Sequence, residues 1–342
     1  MTREAWKALL WGFVIACAMS IAAYQGVQWL MQPAASETGD DTVRIVDIPA
    51  GATFRQVATL LKNEHLITNY WFFRLLGKLE SADRRIIPGE YALHPGMRPT
   101  EILSDLVNGR VVLHPVTIPE GYTVAQIAEL LGQKDIADQG ELTRLTHDRE
   151  FIRSLSLDVS SLEGYLFPNT YRFARRTDPK EVLRTLVAGL RQALTPDLYQ
   201  RAKDLNLSLH QVLTLASVIE KETGVREERE LVSAVFHNRL RRKLPLQSDP
   251  TVIYALDGFD GNLRARDLSL DSPYNTYRFP GLPPGPIASP GLQAIRAALY
   301  PAATNYLYFV SRNDGSHYFS STLEEHNRAV DKYQRRPPRR SS

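Results

Sequence analysis

VDIPAGATFRQVATLL, residues Val46 to Leu61, decides how the front of this 342-residue chain is read. It starts β-like, turns at Ile-Pro-x-Gly, and continues with apolar residues at helical spacing. VTIPEGYTVAQIAELL, Val116 to Leu131, repeats the skeleton, and LHPGMRPTEILSDL, Leu93 to Leu106, echoes it more briefly. Gly51, Gly96 and Gly121 hold equivalent places, where a turn is expected to need a positive φ. Thr53 and Thr123 are placed to cap the helices that follow. The spacing is irregular, so the copies read as strand–turn–helix units packed together, not as a solenoid. Residues 42–135 are therefore expected to form a small module.

Ahead of that module, Ala8 to Met31 contains no charged residue. About 20 such residues span a bilayer as a helix. Arg3 and Lys7 precede the run, with Glu4 as the one acid. The positive-inside rule then keeps residues 1–7 in the cytoplasm and exports everything after Met31. A cleaved signal peptide has a shorter apolar core and a small-residue cleavage site. Val14-Ile15-Ala16-Cys17 loosely resembles a lipobox, but the apolar run continues well past Cys17. The reading is an uncleaved membrane anchor over 8–31, then a small, polar, acidic linker over 32–41.

Composition narrows the rest. A single cysteine rules out an internal disulfide framework. A net charge of +3 is too small to point to nucleic acid. No metal-ligand spacing, dinucleotide fingerprint or phosphate loop occurs, so no cofactor is inferred. His237 reads as structural. Residues 335–342 form a basic end, expected to be disordered, with weak attraction to anionic lipid or wall polymer as the alternative.

The second half, 136–334, mixes helix and strand signals, so the whole is α+β. Ser208-x-x-Gln211 opens a helix as a capping box, and Gly224 is placed to stop it. A second helix runs from about Arg226 to Lys243 with its charges arranged to suit the helix dipole. Asp249 and Ser289, each followed by proline, are expected to cap two more. Asp314-Gly315 signals a hairpin, and Thr322-x-x-Glu325 opens a final helix.

Within LASVIEKETG, Leu215 to Gly224, Glu220 and Glu222 stand in the last turns of a buried helix. There the dipole opposes a carboxylate by about 0.3–1 kcal/mol each. Dipole and desolvation both push a carboxyl pKa upward, which suits a proton donor. The two side chains point about 200° apart, so they do not act as a facing pair. Position alone does not choose between them, and two surface acids at a fraying helix end would read the same.

More of the chain bears on the choice. LEGYLFPNTYRF (162–173), ASVIEKETG, VFHNRL (235–240), LPLQSDPTVIYAL (244–256), SPYNTYRFPGLPPGPIASPG (272–291) and YLYFVSRNDGSHYFSSTLEEHN closely resemble the endolytic murein transglycosylase family, the MltG or YceG-like proteins. The resemblance covers nearly the whole chain; His237 departs from the apolar residue expected there. It implies a single-pass inner-membrane protein with a periplasmic LysM-like module and an α+β catalytic domain acting on peptidoglycan. It makes Glu220 the catalytic acid and Glu222 a neighbour. The implied reaction splits the MurNAc–GlcNAc bond without water and leaves 1,6-anhydroMurNAc ends. It also implies that the cuts end strand growth near peptidoglycan synthases.

Candidates to hold the glycan are Glu163, Gln247, Asp249, Tyr274 and Asn275. Tyr274-Asn275 is similar to the short Tyr-Asn element of lysozyme-like transglycosylases, and a turn-forming Asn is the alternative. Tyr254, Tyr277 and Phe279 offer ring faces to sugars or pack in the core. Two rival functions remain: a non-catalytic wall-binding scaffold, and an exported hydrolase giving reducing ends.

Overall fold

The computed structural model describes residues 3–335. Of the basic end, only Arg335 lies within them; the remainder is outside the described residues. Two compact units divide at His114–Pro115. The repeat had suggested a boundary after residue 135. The second copy instead belongs to the second unit, where Val116, Ile118, Val124, Ile127 and Leu131 enter its core.

The first unit begins with one helix, Arg3–Leu30. Its stretch Leu10–Leu30 has mean hydropathy 1.6 and is unburied, long and apolar enough to cross a membrane. The expected linker is structured: Ala34 is 6% exposed, Ala35–Thr38 is a short helix, and the Ala35 N–H donates to Pro95 O at 2.8 Å. Then β1 (Arg44–Ile48) pairs antiparallel with β2 (Gly89–Leu93), Val46 opposite Tyr91. Alternation sends Val46 and Ile48 into the core and leaves Ile45 outside. Helices Phe54–Asn63 and Tyr70–Leu79 lie between these strands in sequence, and Pro99–Asn108 follows β2. Val57, Leu61, Phe73, Tyr91 and Leu106 complete this core. Thr53 caps its helix as expected and does so in a full capping box with Gln56. Gly51 and Gly121 have φ of 77° and 75°. Gly96 does not share this conformation. A Cβ there would meet the Asp41 carboxylate, the end of an exposed side chain that can move aside.

In the second unit, β3 (His114–Thr117) pairs with β4 (Thr170–Phe173). The expected hairpin is β5 (Tyr308–Ser311) against β6 (His317–Ser320), Phe309 opposite Phe319. Helix Leu209–Glu222 runs through the core, with every residue from Val212 to Ile219 buried. It packs on helices Leu292–Leu299 and Arg229–Arg241.

Three expected helix ends move. The long helix stops at Glu222 with Thr223 extended, and Gly224 has no positive φ. Helix Asp249–Ala255 starts on Asp249 itself, with Ser248 in the cap position. Helix Leu292–Leu299 is capped by Gly291. Ser289 is held two residues upstream by tertiary bonds: its N–H donates to Tyr122 O and its O accepts from Gly121 N, both at 2.8 Å.

Candidate active site

Glu220 projects from the last turn of helix Leu209–Glu222, its side chain 7% exposed. Oε1 accepts from Arg229 Nη2 at 2.8 Å, and Oε2 accepts from the Gly291 backbone N–H at 3.0 Å. Both oxygens are thereby oriented. Arg229 opens the next helix and is 6% exposed. The same Nη2 lies 3.6 Å from Glu120 Oε2, whose side chain is 45% exposed. Glu120 comes from the Ile-Pro-Glu-Gly turn of the second repeat copy. Its carboxylate fills the space a Gly291 side chain would need. The paired Gly121 and Ser289 backbone bonds and a 3.3 Å bond from Lys221 Nζ to Gly121 O fasten this turn beside the acid.

Burial pushes the Glu220 carboxyl above its usual range. The Gly291 N–H, Arg229 and Lys221 pull it down, the Glu120 charge pushes it up, and burial is the largest effect. The resulting carboxyl is fixed in direction and slow to give up its proton, which suits general acid–base work.

Glu222 faces away from Glu220, as the helix period requires. It accepts from Ser248 Oγ at 2.8 Å. Burial pushes it up to about 7, opposed by Ser248 and helped by Asp249. Glu163 is 7% exposed. Its oxygens take the Val124 N–H at 3.1 and 3.3 Å and the Tyr254 hydroxyl at 3.3 Å. Burial pushes it up to about 7 as well, against the pull of those donors.

The other candidates divide. The Tyr274 ring lies tilted against that of Tyr254, centroids 5.0 Å apart, so these two join Glu163 in one cluster. Asp249 accepts from the Tyr277 hydroxyl at 2.5 Å. Gln247 Oε1 accepts from Arg239 Nη2 at 2.7 Å. Asn275 is fully buried: its Nδ2 donates to Leu268 O and Leu270 O and its Oδ1 accepts from Tyr277 N. Asn275 thus holds its own loop, the turn-forming alternative. Phe279 is 42% exposed. His237 Nε2 meets Ala298 O at 2.8 Å, a structural tie.

Sequence reasoning missed Glu120, Arg229 and Gly291. Two signals were available. Among the differences between the repeat copies, Ala50 in the turn of the first stands where Glu120 stands in the second. Arg229 is a cation in a helix's first turn, as ill-placed against the dipole as Glu220 is in the last turn of its own. The two misplaced charges are partners.

The YceG-like family model matches residues 46–332. An endolytic murein transglycosylase of Bacillus subtilis (strain 168) is 33% identical over 322 residues, covering 89% of this chain and 88% of that protein. One from Streptococcus pneumoniae serotype 2 (strain D39) is 32% identical over 95% of this chain and 65% of its own length. The crystal structure of a yceG-like protein from Listeria monocytogenes matches with a TM-score of 0.59 and 34% identity, over 84% of this chain and 98% of that one.

Proposed function

The chain belongs to the YceG-like family, and from that premise we propose that it is a lytic transglycosylase that cuts murein strands from within, with Glu220 as its single acid and base. The observation that carries this reading is the Glu220 carboxyl itself. It is buried, raised in pKa, and held by Arg229 and the Gly291 N–H.

Protonated Glu220 donates to the oxygen joining MurNAc C1 to GlcNAc. The C1–O bond breaks, and the N-acetyl oxygen of the same MurNAc meets the charge developing at C1. The C6 hydroxyl of that sugar then attacks C1 and passes its proton to the Glu220 carboxylate. This closes the 1,6-anhydro ring and restores the acid. No water is consumed, so one carboxyl suffices where a hydrolase needs two. Arg229 stabilises the carboxylate formed midway, and the Gly291 N–H keeps it aimed. Glu163, Tyr254 and Tyr274 form a second cluster suited to sugar hydroxyls and ring faces. Glu222 supports the helix end through Ser248.

Helix Leu10–Leu30 would anchor the protein in the inner membrane, N-terminus cytoplasmic and the rest periplasmic, where strands emerge from synthases. The test is mass spectrometry of products from uncrosslinked strands, beside Glu220→Gln. Internal cuts with 1,6-anhydroMurNAc ends, absent in the variant, support the reading. Reducing ends make the protein a hydrolase. Wall sedimentation without any cut favours a scaffold.

A further inference from the structure

Arg229 also lines a cavity of about 600 Å³, together with Arg226, Arg296, Gln293, Glu230 and Tyr300. Arg229 is therefore shared between Glu220 and this cavity. Its Nη2 serves both Glu220 and Glu120, while its Nε and Nη1 are buried and have no hydrogen-bond partner. A buried guanidinium with unmade bonds is costly, and an arriving acceptor relieves that cost. Among acids nearby, Glu230 lines the cavity and Asp197 feels the charge of Arg296. Glu220 and Glu120 offset Arg229, so the positive charge the cavity offers is mainly that of Arg226 and Arg296.

We propose that this cavity receives carboxylates of the peptide carried by the glycan strand, next to the bond that Glu220 cuts. The assignment rests on the transglycosylase reading. The sugars flanking that bond are neutral, and the peptides on MurNAc lactyl groups supply the anions closest to it. Planar guanidiniums suit carboxylates by paired hydrogen bonds. The site also has a mechanistic consequence. When Glu220 is protonated, Arg229 keeps only the more distant Glu120, 3.6 Å away, as counter-charge. A carboxylate in the cavity replaces the lost charge and lets Glu220 keep its proton to higher pH. Peptide binding and the acid's readiness are thus coupled through one side chain.

The experiment uses the full chain in detergent, with uncrosslinked strands bearing either peptides with free carboxylates or the same peptides with those carboxylates converted to amides. The expected result is that Arg296→Ala lowers the ratio of kcat/KM on free-carboxylate over amidated strands by about tenfold. Arg296→Lys should recover part of the loss. The alkaline limb of the pH profile should lie higher on free-carboxylate strands, and Arg296→Ala should remove that difference. An unchanged ratio would overturn the proposal. Calorimetry with free stem tetrapeptide and with pyrophosphate needs no cleavage. Tetrapeptide binding weakened by Arg296→Ala supports the site even if neither strand is cut, an outcome that sinks only the transglycosylase reading. Binding of pyrophosphate but not tetrapeptide would assign the cavity to a lipid-linked strand end and overturn the peptide assignment.

Discussion

Glu120 reaches into the space that a side chain on Gly291 would occupy, and the Gly291 N–H is the donor to Glu220. One glycine therefore admits a second carboxylate to the acid's surroundings. Gly291→Ala should expel Glu120 and remove a like charge that pushes the Glu220 pKa up. The alkaline limb of kcat/KM should then move to lower pH by a few tenths of a unit, and Glu120→Gln should do the same. A pH–rate series on defined strands decides it; a shift to higher pH in both variants would reverse the assigned role of Glu120.

Glu220→Gln should lower kcat by about a thousandfold or more, as expected for loss of a general acid. Glutamine keeps the shape and one acceptor for Arg229, so far-UV circular dichroism should be unchanged. Glu222→Gln, which retains an acceptor for Ser248, should cost no more than a few-fold in kcat. Equal losses in the two variants would place the acid wrongly.

Arg229→Leu should destabilise the fold by about 3–5 kcal/mol, because it leaves Glu220 buried without its partner. In a Glu220→Gln background the same change should cost clearly less. A double-mutant cycle by chemical denaturation measures the difference, and strict additivity would deny the coupling.

Glu163 and Glu222 are both pushed up to about 7, against about 4.3 for an unfolded glutamate. Between those values the folded chain holds more protons than the unfolded one. Their contribution is complete below the unfolded pKa and is lost as pH rises through about 7. Melting temperature should therefore fall from pH 5 to pH 7.5. Glu163→Gln should flatten that slope, with about 2 kcal/mol removed from the pH-dependent part. Parallel curves for wild type and variant would contradict this.

Local signals that set local structure were legible. Thr53, Thr123, Ser208 and Thr322 each cap their helix as expected, all through capping boxes, because both partners lie within one turn. The Asp314-Gly315 hairpin forms for the same reason. Ser289 and Asp249 carry an equally good local pattern, yet neither caps as expected. Ser289 is fixed by Gly121 and Tyr122, contacts that no window around Ser289 contains. The site divides likewise. Glu220 stood out because a carboxylate in a helix's last turn breaks a local rule. Glu120 broke none, and its importance comes from the fold returning the second repeat turn to Gly291. The unit boundary at His114–Pro115 was hidden by the same repeat, since like sequences were read as one module while their apolar faces enter different cores.

The chain is already tied down at Ala34 and Ala35, only a few residues beyond the apolar span that ends at Leu30. A segment that short extends to about 14 Å at most. If the span crosses a bilayer as proposed, the first unit would be on a leash rather than a stalk, its altitude above the lipid nearly fixed, and the strands within its reach would be those lying low over the membrane.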